Sequence, residues 1–222
     1  MRPWYRFCRF GCRMYLTSLH FGRVLNRPFV PLDGAALLVS NHQSFLDPVL
    51  LTYGLNREGD YMARESLFRI PGFEKLIRSL NAFPVNRDEV TVSEIKETLR
   101  RLKAGRMVTV FPEGTRTRDG RIGEFKSGFI RLARMAKVPI IPAAIDGAFE
   151  AWPRTSPLPK PLVPVRICYG RLLSLEYLQA QDAERMEATI RRQIIDLQHH
   201  LRRLAGKSLY NYPEMHDEHH SR

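Results

Sequence analysis

The sequence contains few cysteines, few acidic residues and no long apolar run. It has three cysteines, Cys8, Cys12 and Cys168, among its 222 residues. An odd and sparse set is a poor basis for a disulfide framework, so we expect a reducing compartment. Cys8 and Cys12 lie four residues apart, and no second close pair of cysteines or histidines would complete a tetrahedral zinc site. The sequence therefore predicts no metal site.

No stretch of the sequence is apolar over the length that a bilayer requires. A spanning helix needs about 20 consecutive apolar residues. The uncharged run near the start, residues 14–22, is far shorter. Arginines also interrupt the N-terminal apolar stretch, which argues against a secretory signal. We therefore predict neither a transmembrane helix nor a secretory leader.

Acidic residues are outnumbered by basic ones. The chain has 23 Asp and Glu against 35 Lys and Arg, which gives a formal charge of +12 and a pI of about 10.1. Such a balance indicates anionic partners: nucleic acid, an acidic membrane surface or phosphate-bearing substrates. The hydrophobic fraction of 44% is that of a globular protein, and the length suits one domain.

The first 27 residues carry six arginines and no acidic residue. On a helical wheel at about 100° per residue, arginines 2, 6, 9 and 13 form one stripe, with aromatic and other apolar side chains on the other side. This pattern is typical of a helix lying in a membrane surface, and also of an amphipathic helix packed on a core. The missing acids and the many aromatics favour membrane contact. The predicted contact residues are Trp4, Arg6, Phe7, Arg9, Phe10 and Arg13.

Apolar runs alternate with helical patterns along the rest of the chain. Residues 35–40, 107–111, 138–145 and 163–169 read as buried strands, and apolar spacing predicts helices that include one at the C-terminal end. Alternation of this kind predicts a single α/β domain, a mostly parallel or mixed sheet flanked by helices. We place this domain at residues 28–207, after a membrane-association segment at 1–27 and before a polar tail at 208–222.

One group of polar residues follows the first predicted strand. The sequence Asn-His-Gln-Ser-Phe-Leu-Asp occupies residues 41–47, with a predicted helix after it. A carboxylate at Asp47 can hold one ring nitrogen of His42 and leave the other to accept a proton, as in a general base. The alternative is that Asp47 only caps the helix, with Pro48 at its first position, and that His42 only hydrogen-bonds a loop.

A second polar group follows the strand predicted at 107–111. The sequence Phe-Pro-Glu-Gly-Thr-Arg-Thr occupies residues 111–117. It presents an acid, Glu113, a glycine that lets backbone amides approach a ligand, Gly114, and a guanidinium suited to phosphate, Arg116. The alternative is a surface turn with a capping role.

Together these stretches resemble the glycerolipid acyltransferase family. Its first motif, N-H-x4-D, matches Asn41, His42 and Asp47, and its third, F-P-E-G-T-R-[ST], matches residues 111–117. The family's second motif resembles residues 83–87, although Asn86 stands where aspartate is usual. Its fourth motif, an apolar stretch with an internal proline, resembles residues 138–143. Four ordered motifs cover residues 35–145, about half of the chain.

The resemblance implies transfer of a fatty acyl group from a thioester to the sn-2 hydroxyl of 1-acylglycerol-3-phosphate, giving phosphatidate. It implies His42 as the base and Asp47 as its orienting partner. Arg87 and Arg116 would bind the acceptor phosphate, with Gly114 and Thr115 beside them and Glu113 orienting an arginine or a glycerol hydroxyl. Lys126, in a similar F-K-x-G segment, is a further candidate for binding the phosphate, and the alternative is a solvated lysine.

The same resemblance implies the other participants in the reaction. No cofactor is expected, because acyl-CoA or acyl-acyl carrier protein brings an activated acyl group as co-substrate. The expected partners are a lysophospholipid acceptor, one of these two donors and an anionic membrane surface, and the expected location is the cytoplasmic face of the cell membrane as a peripheral protein.

Other functions are compatible with parts of the sequence. The acceptor could instead be glycerol-3-phosphate, another lysophospholipid or a lyso-ornithine lipid, because related families share these motifs. A basic nucleic-acid-binding protein is suggested by charge alone, and no nucleic-acid motif supports it. A membrane-bound interaction protein without catalysis is disfavoured by the intact pair of His42 and Asp47. We therefore expect no nucleic-acid partner.

Overall fold

A computed structural model describes residues 1–86 and 91–212 of the chain. Within these residues the chain alternates between strands and helices, as the apolar runs predict. The helices are α1 (Pro3–His20), α2 (Asp47–Tyr53), α3 (Phe73–Ser79), α4 (Val92–Lys103), α5 (Gly128–Ala136), α6 (Ala148–Ala151), α7 (Leu175–Gln179) and α8 (Ala183–Leu204). The strands are β1 (Arg23–Leu25), β2 (Ala36–Ser40), β3 (Gly59–Arg64), β4 (Ala82–Val85), β5 (Met107–Val110), β6 (Ile140–Asp146) and β7 (Arg166–Tyr169).

The described strands form one mixed sheet in the order β1-β7-β6-β2-β5-β3-β4. Every neighbouring pair is parallel except β6 and β7, which are antiparallel. The central strands β2, β5 and β6 consist of buried residues along their whole length, as strands covered on both faces must. Because β2 and β5 are parallel neighbours, the loops that follow them meet at one edge of the sheet.

Helices cover both faces of the sheet and enclose two main cores. On one face, α4, α5, α7 and α8 pack on Leu37, Val39 and Val108 of the central strands. On the other face, α1, α2 and α6 pack on Leu38 and Ile141. Alternate residues of β2 therefore enter opposite cores, and the prediction of a single α/β domain with a mixed sheet is confirmed.

Two ends of the domain differ from the expectation drawn from the sequence. Residues 23–25, assigned to the N-terminal segment, form the edge strand β1 beside β7. Residue 212, assigned to the polar tail, is buried: the Tyr212 hydroxyl donates to Gln198 Oε1 at 2.8 Å and accepts from the Ile122 N–H at 2.8 Å. The sequence did not indicate that residues 23–25 form a strand, because an arginine begins the segment, or that Tyr212 is buried, because its neighbours in the sequence are polar. Residues 213–222 of the predicted tail lie outside the described residues.

Helix α1 has an exposed apolar face and a face packed on the domain. Tyr5, Leu16 and His20 are buried against the domain. Apolar side chains on the opposite side stay exposed, among them Trp4, Phe7, Phe10 and Met14. No helix in the described part of the chain has both the length and the apolar character needed to cross a bilayer.

The arginines of α1 do not form the single outward stripe that the helical wheel predicts. Arg6 and Arg13 are exposed. The guanidinium of Arg9 instead donates to the carbonyl oxygen of Leu55, and that of Arg2 pairs with Glu58 at 3.1 Å. The Arg9 side chain therefore bonds to the domain, through a loop that the wheel does not represent, and its assignment as a membrane contact stays a prediction.

Candidate active site

The loops after β2 and β5 are joined by hydrogen bonds at the carboxyl edge of the sheet. The backbone N–H of Thr117 donates to the His42 carbonyl oxygen at 2.8 Å. The backbone N–H of His42 donates to Glu113 Oε1 at 2.8 Å. The two groups of polar residues that the sequence places after separate strands are therefore in direct contact, as the parallel pairing of these strands requires.

His42 and Asp47 form a buried pair. His42 Nδ1 lies 2.7 Å from Asp47 Oδ2, and the side chains are 4% and 0% exposed. The same carboxylate oxygen accepts hydrogen bonds from the backbone N–H groups of Gln43 at 2.5 Å and Ser44 at 2.7 Å. These donors stabilise the carboxylate and hold Nδ1 of His42 as the protonated nitrogen. Proton acceptance then falls to Nε2.

Asp47 does not act as the N-terminal cap of α2. The helix begins at Asp47 itself, and the capping position is Leu46, which offers no side-chain hydrogen bond. The carboxylate points back into the preceding loop, where it binds His42, Gln43 and Ser44. The interpretation of Asp47 as a helix cap is therefore wrong. The contact of its carboxylate with His42 is the one expected if Asp47 orients a general base.

An aromatic ring covers one face of the histidine. The rings of His42 and Phe111 are stacked, with centroids 4.2 Å apart and planes inclined by 17°. Phe111 follows β5 directly, so the strand that positions Glu113 also fixes the plane of the imidazole. A ring held by stacking on one face and by Asp47 at its edge has little freedom to rotate.

Glu113 sits between the two loops with both oxygens engaged by backbone donors. Besides the His42 N–H at Oε1, the Gly123 N–H donates to Oε2 at 3.1 Å. Burial raises the pKa of Glu113 to about 7, opposed by these two donors, and the nearby charge of Asp47 raises it further. The partners of Glu113 among the described residues are thus backbone groups, and its side chain braces the site.

The remaining residues of the second group surround a turn at Gly114. This glycine has a φ of +68°, a conformation that favours glycine, and its N–H donates to the Phe111 carbonyl at 3.0 Å. Lys126 Nζ lies 3.5 Å from the position that a Cβ on residue 114 would take. The Arg116 guanidinium lies 3.4 Å from the centroid of the Phe45 ring. Thr115 is exposed.

The structure therefore brings together most of the predicted site residues. His42, Asp47 and Glu113 are in direct contact, and Gly114 and Lys126 are adjacent. Arg87 lies outside the described residues, so its predicted place beside Arg116 stays a prediction.

Two buried polar residues of the first loop have structural partners that the sequence did not reveal. Asn41 Nδ2 donates to the Ile145 carbonyl at 3.0 Å, and Asn41 Oδ1 accepts from the Ile145 N–H at 2.8 Å, which ties the end of β2 to β6. Gln43 donates to the Gly120 carbonyl at 3.0 Å and accepts from the Phe149 N–H at 3.3 Å. Consecutive polar residues directly after a buried strand were the available signal, since buried amides need partners.

A family model for acyltransferases matches residues 23–146 of this chain. The match includes the loops that carry His42, Asp47 and Glu113, and it extends from β1 to the end of β6. The chain belongs to the acyltransferase family.

Individual relatives and a solved structure agree with this membership. The chain is 32% identical over 144 residues to the 1-acyl-sn-glycerol-3-phosphate acyltransferase of Bacillus subtilis, covering 64% of this chain and 71% of the relative. It is 33% identical over 126 residues to a chloroplastic enzyme of the same name from Arabidopsis thaliana, covering 56% of this chain and 35% of that longer protein. The crystal structure of the 1-acyl-sn-glycerophosphate (LPA) acyltransferase PlsC from Thermotoga maritima is similar with a TM-score of 0.71 and 27% identity, over 87% of this chain and 79% of that chain.

Proposed function

We propose that this protein transfers a fatty acyl group from an acyl thioester to the sn-2 hydroxyl of 1-acylglycerol-3-phosphate, giving phosphatidate. The observation that carries the proposal is the buried pair of His42 and Asp47, 2.7 Å apart, in a family member whose relatives bear the name of this activity. The pair supplies a general base, and the acceptor supplies the nucleophilic hydroxyl, so no serine or cysteine nucleophile is required.

The chemistry follows from the protonation of the histidine. His42 Nε2 takes the proton of the acceptor hydroxyl as the oxygen attacks the thioester carbonyl. Asp47 stabilises the imidazolium that forms. The tetrahedral intermediate then collapses, the carbon–sulfur bond breaks, and the leaving thiolate takes the proton from His42. General base catalysis of this kind contributes about 10²–10⁴-fold.

The acceptor phosphate is assigned to the basic residues around the Gly114 turn. Lys126 is supported by the position of its ammonium group beside Gly114, and Arg116 by its place in the same loop as Glu113. Gly114 and Thr115 contribute to the same subsite through their backbone, and Arg87 is assigned to it from the family motif. The geometry around Glu113 supports a bracing role instead of the orientation of an arginine.

The acyl donor is assigned as coenzyme A or acyl carrier protein, with no further cofactor, because the thioester already activates the acyl group. Both donors are anionic and suit a chain with a formal charge of +12. The exposed aromatic face of α1 supports a peripheral position on an anionic membrane, with Trp4, Phe7 and Phe10 at headgroup depth. We place the protein on the cytoplasmic face, where the donors are made.

The test is a transfer assay with purified full-length protein on vesicles. Labelled oleoyl groups are supplied on coenzyme A or on acyl carrier protein, and 1-acylglycerol-3-phosphate is the acceptor. Phosphatidate should form with at least one donor. His42→Ala should lower the rate by about 10²–10⁴-fold with unchanged circular dichroism. The matched control is His200→Ala, which changes an exposed histidine on α8.

Two results would contradict the proposal in different ways. If neither donor gives product, the assigned acceptor is overturned. Glycerol-3-phosphate and other lysolipids would then be tried with the same variants. Retention of most of the activity by His42→Ala would overturn the mechanism whichever acceptor is used.

A further inference from the structure

A cavity lined by four arginines lies at the β1 edge of the sheet, away from the candidate active site. Its volume is about 460 Å³. The arginines come from four elements of the fold: Arg13 from α1, Arg23 from β1, Arg166 from β7 and Arg27 from the turn after β1. No acidic residue is among the described residues that line it. The cavity is therefore a concentration of positive charge without a counter-charge in its wall.

The fold places two of these arginines side by side. Arg23 and Arg166 are paired residues of the parallel strands β1 and β7. Like charges at paired positions of neighbouring strands destabilise a sheet. Asp146 pairs with Arg166 in the sheet, but its carboxylate already accepts from Arg202 at 2.9 Å and Lys207 at 3.2 Å. In the part of the chain that the structure describes, none of the four cavity guanidiniums takes part in an ion pair or hydrogen bond.

A buried hydroxyl in the same wall has no hydrogen-bond partner among the described residues. Tyr53 is 2% exposed and lines the cavity. Its hydroxyl oxygen lies 2.9 Å from the position of a Cβ on Gly22, another lining residue. Burial raises the pKa of Tyr53, while the charges of Arg27 and Arg13 lower it. A buried hydroxyl without a partner costs free energy, and a ligand oxygen would satisfy it.

The position of the cavity relative to α1 indicates where an anion would come from. Arg13 lies about 100° around the helix from Met14, which is one of the exposed apolar residues together with Phe10. If the apolar face lies in the lipid surface, the side of α1 that carries Arg13 lies at the depth of the headgroup phosphates. The cavity would then open at that depth.

The cavity is separate from the subsite assigned to the acceptor phosphate. The loops with His42 and Glu113 follow β2 and β5, while Arg23 and Arg166 lie on β1 and β7. Three strand spacings separate β1 from β2, which amounts to about 14 Å. Gly114 and Arg116, which are assigned to the acceptor, lie in the loop after β5, and β5 is on the other side of β2 from β1 and β7. One phosphate cannot contact both groups of arginines.

We propose that this cavity binds the phosphate of an acidic phospholipid headgroup, held by Arg13, Arg23, Arg27 and Arg166 with a hydrogen bond from the Tyr53 hydroxyl. The lipid as the source of the phosphate rests on the membrane-facing role of α1 proposed above. The anion site itself rests only on the arginines and the buried hydroxyl.

The first test measures binding of the full-length protein to vesicles by flotation, with no turnover needed. Vesicles of phosphatidylcholine alone are compared with vesicles that also contain phosphatidylglycerol. The double variant Arg23→Gln, Arg166→Gln should weaken binding to the acidic vesicles by about tenfold or more. The matched control Lys96→Gln, Arg131→Gln removes the same charge from exposed positions on α4 and α5 and should change binding by less than about twofold.

The second test uses Tyr53→Phe, which keeps the ring and removes only the hydroxyl. Without vesicles this variant should unfold at the same temperature as the wild type or higher, because a buried group without a partner is removed. With acidic vesicles its binding should weaken about threefold to tenfold. A merely structural hydroxyl would give the opposite pattern, with lower stability and unchanged binding.

The outcomes separate this proposal from the proposed enzymatic function. Equal binding of the cavity variant and its control to acidic vesicles would overturn the lipid site. Inorganic phosphate could instead stabilise the wild type against heat and fail to stabilise the cavity variants, while vesicle binding stays unchanged. That result would show a site for a soluble phosphate and would also overturn the assignment of a lipid as the ligand. These binding measurements do not depend on turnover, so they test the cavity even if the transfer assay gives no product.

Discussion

The backbone N–H of His42 donates to the Glu113 carboxylate at 2.8 Å, so the catalytic histidine proposed here is held from both ends. Its ring is held by Asp47 and its main chain by a residue of the neighbouring loop. The position of His42 therefore depends on two carboxylates, those of Asp47 and Glu113, which lie in different surroundings. Asp47 receives three hydrogen bonds on one oxygen, while burial keeps the pKa of Glu113 near 7.

Replacing Asp47 by asparagine should reduce acyl transfer by about 10²–10⁴-fold. Asparagine carries no negative charge to stabilise the imidazolium that forms on His42, and its neutral amide oxygen accepts the three hydrogen bonds more weakly than a carboxylate oxygen does. The rate of phosphatidate formation and its pH profile are the measurements. Asp196→Asn, at an exposed position on α8, is the control. A rate within about threefold of wild type would show that Asp47 does not orient the base.

Stability should fall as the pH rises through the titration of Glu113. The pKa of this group is raised from 4.5 to about 7 in the folded protein, so the folded state binds the proton more tightly than the unfolded chain. Its contribution to the free energy of unfolding is fully present below pH 4.5 and is lost by about pH 7. Urea unfolding at several pH values should therefore show a smaller decline for Glu113→Gln than for wild type. Identical slopes for the two proteins would contradict the raised pKa.

Asn41→Ala should destabilise the fold by about 2–5 kcal/mol, because it leaves the N–H and the carbonyl of Ile145 buried without their partner. The free energy of unfolding in urea measures the effect. Asn56→Ala at an exposed position is the control and should change stability by less than about 0.5 kcal/mol. A small effect at position 41 would mean that the sheet edge rearranges around the missing amide.

Removing the exposed aromatics of α1 should release the protein from membranes without weakening its fold. Phe7 and Phe10 are 68% and 64% exposed, so Phe7→Ser combined with Phe10→Ser removes little buried contact. Vesicle flotation should show a loss of affinity of tenfold or more, since each ring buries apolar area in lipid. The control pair Val92→Ser and Met135→Ser changes exposed apolar residues on α4 and α5. Equal loss in both pairs would argue against α1 as the contact surface.

The sequence predicted the central part of the fold well because its signals there are local. Residues 36–39 are all apolar, and residues 107–110 are apolar except for Thr109; short runs of this kind are typical of buried strands. The C-terminal helix α8 follows from apolar residues at helical spacing. The contact of His42 with Glu113 follows from two such strands being parallel neighbours, a pairing that the structure shows.

The parts that were not predicted depend on contacts between distant residues. Strand β1 has three residues, and only its pairing with β7 makes it a strand. Arg9 points toward the domain because the Leu55 carbonyl offers it an acceptor. The sequence left open whether Asp47 caps the helix or orients His42, and the return of the loop toward His42 decides between the two by turning the carboxylate away from the helix end. Periodicity carries no information about partners of this kind.

The short connection between α1 and β1 fixes how the whole domain meets a surface. Helix α1 ends at His20 and β1 begins at Arg23, with the Val165 N–H bonded to the His20 carbonyl at 2.9 Å and the Leu162 N–H bonded to that of Leu19 at 2.7 Å. The helix therefore cannot tilt or sink independently of the sheet. If α1 lies on a bilayer as proposed, its height there also sets the height of His42, the proposed base, above the lipid.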